Sequence, residues 1–352
     1  MAAVLCACGG SGSTGAGAVV GPDAGLPDAG STDAGVGDGG VADDCTGIVP
    51  AVPASALAFE VGENTGEICS LSVTDGTGVI LAESHSGTSL TSLSAVNWHE
   101  FDTRGIGGGF FSGGFSLAPQ ASGFLGTESS AGAVNVEAWS GQGKIQNLVP
   151  FSSSTAPVGV APGFPDGVVM VQNSGSTLLV SSFDDLANAV KTASGAAPAG
   201  ATVLAAAQDQ TGPVLAVLSN GQGIWTDLAA GTSGAPFSLG SGTTAAARAL
   251  IGGGVAVRLD GHWTAIVNPS NSILLPPRAW MVDGSDFTIA RGGKAYAVTT
   301  GSNVIALAVG QTTCGTVTLP GVTSVSAGIE GTVVGSSGTN GCSKVFWPKL
   351  LQ

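Results

Sequence analysis

The stretch Val168-Val-Met-Val-Gln-Asn-Ser-Gly-Ser-Thr-Leu-Leu-Val180 shows the pattern that decides the fold. Two short runs of β-branched and apolar residues flank a polar segment that contains asparagine, serine and glycine. Residues of this kind tolerate the positive φ angles of tight turns, whereas β-branched residues favour strands. The stretch therefore predicts a β-hairpin.

The same hairpin pattern recurs along the chain, and its later copies lie about 40 residues apart. Further strand-like runs precede most of the hairpins and follow some of them, as in Thr202–Ala207, Phe287–Ala290, Val322–Val325 and Thr316–Pro320. Four strands in about 40–45 residues are typical of a β-propeller blade. The hairpins start near Leu71, Ala133, Val168, Val214, Gly254, Lys294 and Gly331.

We therefore predict an all-β fold in which residues 45–352 form a β-propeller of about seven four-stranded blades, with six or eight as alternatives. A β-sandwich, single or double, is the rival architecture. Small residues such as those of Gly252–Val257 are expected near the axis, where blades taper. Ser182–Lys191 is expected to form one helix in a loop, because Ser182 is a suitable N-cap and acidic residues follow it.

The composition excludes some functions. Charged residues make up 10% of the chain, far fewer than in typical soluble domains, and the net charge is −14. The ten basic residues form no cluster that would bind nucleic acid, so we expect no nucleic-acid partner. The 58 glycines favour turns and short strands over helices.

The N-terminus carries a cysteine motif, Leu5-Cys-Ala-Cys8. It resembles the lipobox of bacterial lipoproteins, which implies that Cys8 is lipidated after cleavage behind the small residue Ala7. The motif departs from the family pattern at Cys6, and no basic residue or apolar run of 7–15 residues precedes it. We therefore expect residues 1–8 to be the remnant of a signal peptide whose true start lies upstream; a chance Leu-Cys-Ala-Cys is the alternative.

Residues 9–44 are a low-complexity segment in which Asp-Ala-Gly or Asp-Gly-Gly recurs every five residues. Asp23, Asp28, Asp33 and Asp38 repel one another, and too little apolar surface is present to offset the ordering entropy. We predict a disordered linker. It resembles the tethers of Gram-negative lipoproteins, which implies export and a lipid anchor, and Gly9 and Gly10 after the cysteine favour the outer membrane.

The cysteines after the linker are Cys45, Cys69, Cys314 and Cys342. An even number in an exported domain predicts disulfides, although three pairings are possible. We favour the local pairs Cys45–Cys69 and Cys314–Cys342. No CxxC or Cys/His spacing predicts a metal site.

Candidate catalytic residues are few. Glu100 with Asp102, or Asp283 with Asp286, offers a carboxylate pair of the kind that glycosidases use. A sialidase also needs an arginine cluster; the chain contains Arg248, Arg258, Arg278 and Arg291, but their sequence positions do not bring them together. We expect these acids to be solvated residues of turns and rims. No nucleophile elbow, metal motif or cofactor motif is present, so we predict no cofactor and assign no catalytic residue. His85, His99 and His262 are scattered along the chain.

Two further sequence features concern the architecture of the repeat. Ser219-Asn-Gly-Gln-Gly-Ile-Trp225 faintly resembles the Asp-box hairpin of sialidases and related propellers, in which it stabilises a turn. Trp139, Trp225, Trp263 and Trp347 lie in or beside hairpins and are expected to be core residues, with exposed sugar-stacking rings as the alternative.

From these features we predict a monomeric, non-catalytic binding or scaffold module that touches the membrane only through its lipid anchor. Its expected partner is an envelope protein or a polysaccharide. A glycan-binding or glycan-hydrolysing propeller is the alternative.

Overall fold

The computed structural model describes Cys45 and, from Leu57 to Trp347, all residues except 62–67, 74–78, 87–88, 98–101, 108–114, 121–122, 131–132, 141–142, 147–150, 153–157, 165–166, 290–294, 301–303, 319–320, 328–332 and 338–341. Most described side chains lie between Gly159 and Val322. The chain divides into two units, Met1–Asp38 and Gly39–Gln352, and all described residues belong to the second. The predictions for residues 1–8 and 9–44 lie outside the described residues.

The described residues form thirty β-strands and no α-helix. None of them belongs to a helix that is long and apolar enough to cross a membrane. In chain order the first fifteen strands are β1 (Leu57–Val61), β2 (Ile68–Val73), β3 (Val79–Ser86), β4 (Ser89–Asn97), β5 (Asp102–Gly107), β6 (Phe115–Gln120), β7 (Gly123–Ser130), β8 (Ala133–Ser140), β9 (Gly143–Gln146), β10 (Phe151–Ser152), β11 (Val158–Pro162), β12 (Val168–Ser174), β13 (Thr177–Phe183), β14 (Ala189–Ala196) and β15 (Val203–Gln208). The remaining strands are β16 (Val214–Leu218), β17 (Gln222–Asp227), β18 (Thr232–Ser233), β19 (Phe237–Ser238), β20 (Ala245–Ala249), β21 (Val255–Leu259), β22 (His262–Val267), β23 (Leu274–Leu275), β24 (Phe287–Ile289), β25 (Tyr296–Thr300), β26 (Val304–Val309), β27 (Thr312–Thr318), β28 (Val322–Ala327), β29 (Val333–Ser337) and β30 (Cys342–Trp347).

These strands form antiparallel sheets of four or five strands, which we number 1 to 7. Sheet 1 is β2–β5, sheet 2 is β6–β10, sheet 3 is β11–β14, sheet 4 is β15–β19, sheet 5 is β20–β23 and sheet 6 is β24–β27. Sheet 7 contains β28, β29 and β30, and its fourth strand is β1 from the other end of the chain. The prediction of an all-β fold built from four-stranded antiparallel units is confirmed.

Neighbouring sheets contact one another through their first strands. β2 contacts β6, β6 contacts β11, β11 contacts β15 and β15 contacts β20. Sheet 6 contacts β28 of sheet 7, and β28 contacts β2 of sheet 1. Sheets 5 and 6 pack through Trp263, Phe287 and their neighbours. The order of contacts is therefore cyclic.

The apolar core lies in layers between neighbouring sheets, because the second strand of a sheet is buried on both faces. In β12, Val168 and Met170 pack toward sheet 2, whereas Val169 and Val171 pack toward sheet 4. The same alternation in β16 divides its apolar residues between sheets 3 and 5. Successive residues of a strand point to opposite faces, so a strand that is buried on both faces needs a continuous apolar run. This requirement explains the apolar runs in which the hairpins begin.

The spacing of the repeat is more regular than the sequence suggests. The second strands of the seven sheets begin at about 40-residue intervals, at Val79, Gly123, Val168, Val214, Val255, Tyr296 and Val333. The predicted hairpins near Leu71 and Ala133 begin one strand out of phase with the others, in β2 and β8. The long gap between the predicted hairpins near Leu71 and Ala133 therefore arises because the first begins one strand too early and the second begins one strand too late.

One local prediction was wrong. Ser182–Lys191 is a hairpin, because Ser182 and Phe183 belong to β13 and Asp184 closes the turn. The Asp184 carboxylate accepts hydrogen bonds from the backbone N–H groups of Leu186 and Asn188. The glycines of Gly252–Val257 have positive φ angles and form the turn before β21, and the segment continues into β21.

The disulfide pairing also differs from the prediction. Cys45 is bonded to Cys314 in β27, with the two Cα atoms 5.4 Å apart, so neither predicted local pair forms. The cyclic order accounts for it: β1, which follows Cys45 in the chain, belongs to sheet 7, and sheet 7 contacts sheet 6, which contains Cys314. The bond joins residues 269 positions apart. In the chain-entropy model, closing such a loop stabilises the fold by about 5 kcal/mol. The side chains of Cys69 and Cys342 lie outside the described residues.

Close packing of the first strands predicts that Gly159 cannot be enlarged without cost. A Cβ atom added to Gly159 in β11 would lie 2.9 Å from Ala206 Cβ and 2.9 Å from Val203 Cγ1 in β15. Gly159→Ala is therefore expected to lower the free energy of unfolding by about 1–3 kcal/mol, measured by denaturant unfolding.

The matched control is Gly234→Ala, at an exposed glycine where the added Cβ meets only Trp225 O at 3.7 Å. The control is expected to change the free energy by less than about 0.5 kcal/mol. Equal effects of the two substitutions would contradict the close approach of sheets 3 and 4.

Candidate functional site

In sheets 4, 5 and 6, a recurring hydrogen-bonded contact joins the turn between the second and third strands to the segment before the first strand. Ser219 Oγ accepts a hydrogen bond from Thr202 N, and Ser219 N donates one back to Thr202 O. Thr299 makes the same two-way contact with Asp286, through Thr299 Oγ1 and the backbone. We call Ser219, Asp260 and Thr299 the turn-capping residues. They occupy the same place in sheets 4, 5 and 6.

Asp260 is the turn-capping residue with the most bonds. Its Oδ1 accepts hydrogen bonds from the backbone N–H groups of Thr243 and Thr244 at 2.9 Å and from both threonine hydroxyls at 3.1 Å. The backbone hydrogen bonds from Thr244 and Thr243 lower the pKa of Asp260 below its ordinary value of 3.8. Asp260 has a φ of 46° and is followed by Gly261 at 88°, the backbone of a tight hairpin turn. This carboxylate therefore stabilises a turn.

At the opposite end of the strands, side chains of sheet 4 bind the turns of its neighbours. Gln208 Oε1 accepts a hydrogen bond from Phe164 N of sheet 3 at 2.9 Å. The buried Asp209 accepts one from Gly254 N in the turn of sheet 5 and one from Thr211 N in its own turn. Because a buried carboxylate needs such donors, Asp209 fixes the position of two turns.

Sheets 5 and 6 are joined through the connecting segment 276–286. Within it, Arg278 is buried and donates hydrogen bonds from Nη1 to Tyr296 Oη and to Gly310 O, both at 3.0 Å. Tyr296 Oη also accepts a hydrogen bond from Ile251 N at 2.7 Å, and Trp280 Nε1 donates one to Gly310 O at 2.9 Å. The arginine therefore holds three segments together.

An aromatic cluster surrounds this network. Trp280 packs against Phe287 and Tyr296, with ring centroids 5.2 Å and 4.9 Å apart. Trp263 lies 5.0 Å from Phe287 and donates a hydrogen bond from Nε1 to Ser285 Oγ at 2.9 Å. Such buried aromatic pairs stabilise the interface between the two sheets.

Two charged contacts lie nearer the surface. Arg248 Nη2 is 3.2 Å from Asp286 Oδ2, and His262 Nδ1 is 2.9 Å from Asp283 Oδ2. The second pair is well exposed, which limits its contribution to stability. Arg258 lies 5.3 Å from the centre of the Trp263 ring and donates a hydrogen bond to Ser285 O at 2.5 Å.

The described candidate acids and arginines therefore have separate structural partners. Asp283 contacts His262, Asp286 contacts Arg248 and Asp260 caps its turn. No group of three or more histidine, cysteine or acidic residues within the described part of the chain is placed to hold a metal ion. Glu100, His99 and Arg291 lie outside the described residues. Only the backbone is described for Asp102 in β5 and His85 in β3.

The tryptophan prediction is confirmed where side chains are described. Trp225 and Trp263 are buried between sheets 4 and 5 and between sheets 5 and 6. The side chains of Trp139 in β8 and Trp347 in β30 lie outside the described residues. Trp225 Nε1 is buried and has no hydrogen-bond partner among the described residues.

Sequence reasoning missed Asp209, Arg278 and Tyr296 as organising residues. Asp209 lies in Gln-Asp-Gln-Thr-Gly-Pro213, a turn-forming segment after a predicted strand, and that signal was sufficient to find it. Tyr296 is the single tyrosine of the chain. Its partners are 18 and 45 positions away in sequence, so no local pattern predicts them.

Comparison with known proteins supports the fold. No family model and no curated protein matches the chain. Chains of solved structures that resemble it number 841, so the fold is common and carries no function by itself. One is the crystal structure of Raptor from Chaetomium thermophilum, with a TM-score of 0.54 and 8% identity. The match covers 83% of this chain and 28% of the Raptor chain, so this chain spans less than a third of that protein.

The lowered pKa of Asp260 predicts a pH-dependent contribution to stability. A carboxylate whose pKa is lowered in the folded state stabilises that state above its ordinary pKa and loses this effect as the pH falls through its lowered value. Asp260→Asn is therefore expected to lower the Tm at pH 7. The difference from the unmodified chain should shrink below about pH 3.8.

Thermal unfolding between pH 2.5 and 8 measures this difference. Asp185→Asn is the matched control, because Asp185 is exposed and accepts no hydrogen bond from the described residues. A Tm difference for Asp260→Asn that did not change with pH would show that the charge of Asp260 has no role in the cap.

Proposed function

We propose that this chain is an envelope lipoprotein in which a seven-bladed β-propeller acts as a non-catalytic binding or scaffold module. In this proposal Cys8 is the lipidated residue, residues 9–44 are the tether and residues 45–352 are the propeller. The protein would be exported, anchored at the outer membrane and monomeric. Its partner would be another envelope protein or a polysaccharide.

The cyclic order of sheet contacts is the observation that carries the propeller proposal. Seven sheets contact one another in a cyclic order that follows the chain, and β1 completes the sheet of β28–β30. Sheets 3 and 4, whose side chains are described, are apolar on both faces. A twisted four-stranded sheet that must cover both faces can do so by repetition around an axis. The structural likeness to Raptor, which contains a β-propeller, supports the same architecture.

The binding role is supported by what the charged side chains do. Asp209 and Asp260 hold turns, and Arg278 holds a buried network between two sheets. Catalytic acids need freedom to exchange protons with a substrate, whereas these groups are held by structural bonds.

The exposed apolar side chains favour a protein partner. Leu186 and Val190 lie on the hairpin of β13 and β14, with exposed fractions of 48% and 58%. Ile273, directly before β23, and Leu274, the first residue of β23, are exposed at 53% and 45%. Apolar groups of this size suit a protein interface better than the hydroxyl-rich surface of a polysaccharide.

Photo-crosslinking in cells tests the binding proposal. A photoreactive amino acid replaces Leu186 or Ile273 in the full chain, and exposed Ala235 serves as the matched control position. We expect a defined envelope protein to be crosslinked from Leu186 or Ile273 and not from Ala235. Adducts to polysaccharide, or release of sugar from purified glycans, would instead favour the glycan-active propeller.

The lipid anchor predicts different results for two neighbouring cysteines. With the gene expressed from its own upstream region, Cys8→Ala should abolish labelling by an alkyne fatty acid and release the protein from the membrane. Cys6→Ala is the matched control and should retain the label. Labelling that survives Cys8→Ala, or that is absent from the unmodified protein, would exclude the anchor at Cys8.

A further inference from the structure

β1, the first of the described strands in the chain, completes sheet 7 and so closes the cyclic order of sheets. β1 forms the edge of sheet 7 and pairs only with β30, from Leu57 opposite Phe346 to Val61 opposite Cys342. An edge strand of five residues is held by one ladder of hydrogen bonds. Tension applied to the chain before β1 would therefore break this ladder one bond at a time.

The Cys45–Cys314 disulfide lies between residues 1–44 and β1 along the chain, because Cys45 precedes β1. Cys314 is part of β27, the edge strand of sheet 6. β27 pairs with β26 along its length, from Val304 opposite Thr318 to Val309 opposite Thr312. A pull on residues before Cys45 is thus transmitted through the sulfur atoms to sheet 6.

We propose that the Cys45–Cys314 disulfide isolates the closing strand β1 from tension that enters through the N-terminal segment. This inference rests on the proposed function in one respect, namely that residues 9–44 are the tether through which tension arrives. The bond divides the chain at Cys45 into a part that bears the tension and a part, including β1, that does not. A tethered domain would then stay closed while its tether is stretched.

Reduction of the bond removes this protection without changing the fold of the sheets. A phosphine reductant supplies two electrons and is oxidised to its oxide, while water supplies the oxygen of the oxide and the two protons of the thiols. Tension then reaches β1 directly. Release of β1 frees the segment from Leu57 to the start of β2 at Ile68, which can lengthen by at most about 40 Å at roughly 3.3–3.6 Å per residue.

Single-molecule pulling on the full chain tests the proposal. One handle is attached at the N-terminus and the other through a click-reactive amino acid at Ala235, an exposed position between β18 and β19 of sheet 4. The oxidised unmodified chain should show no early extension step of up to about 40 Å at low force. The Cys45→Ser/Cys314→Ser variant should show this step, with or without reductant.

The reduced unmodified chain provides a second measurement that does not depend on folding of the variant. It should acquire the early step that the oxidised chain lacks. An early step of the same length in oxidised and reduced protein would overturn the proposal. The pulling assay does not depend on the lipid. If β1 is protected in a protein that is not labelled at Cys8, the inference about the disulfide stands and the lipid anchor at Cys8 is excluded.

Discussion

The rest of the structure depends on the packing of sheets that are apolar on both faces. The second strand of a sheet, such as β12 or β16, sends alternate residues to the sheet on either side. Burial of one such valine or leucine is worth about 1.5–3 kcal/mol, so a sheet without a neighbour would expose a face that the fold cannot leave in water. A row of such sheets has two uncovered ends. Cyclic contact removes both, and β1 completes the last sheet from the other end of the chain.

This constraint explains which parts of the fold could be predicted from the sequence. Continuous apolar runs followed by Asn, Asp, Ser and Gly are local signals, and they identified the hairpins of β12–β13, β16–β17, β21–β22 and β25–β26. The contacts that close the fold are not local. The pairing of Cys45 with Cys314 follows from the meeting of the two chain ends, which no spacing of cysteines encodes. The helix predicted at Ser182–Lys191 failed because Asp184 accepts the backbone hydrogen bonds of a turn and Phe183 is buried in a strand.

The same distinction applies to the candidate site. The sequence identified Asp283, Asp286 and the arginines as the charged groups of interest, but a sequence cannot show what each one contacts. The structure gives Asp260 to a turn, Asp286 to Arg248 and Arg278 to Tyr296. In a chain with so few charges, Asp209, Asp260 and Arg278 each hold separate segments together. Polar side chains at one end of the strands fix turns within sheets 4, 5 and 6, and Gln208 and Asp209 at the other end bind the turns of neighbouring sheets. This arrangement suits a rigid module that presents a surface.

Engineered cysteines can test whether β1 completes sheet 7 by pairing with β30. Glu60 and Ser343 are Cα partners in the ladder of β1 and β30, and directly opposed antiparallel residues lie within the range that a disulfide spans. In the oxidised full chain, Glu60→Cys with Ser343→Cys should give an intramolecular crosslink by peptide mapping. Glu60→Cys with Ser92→Cys, a position in β4 of sheet 1, should not. Absence of the first crosslink, or its formation only between molecules, would contradict the closed order of sheets.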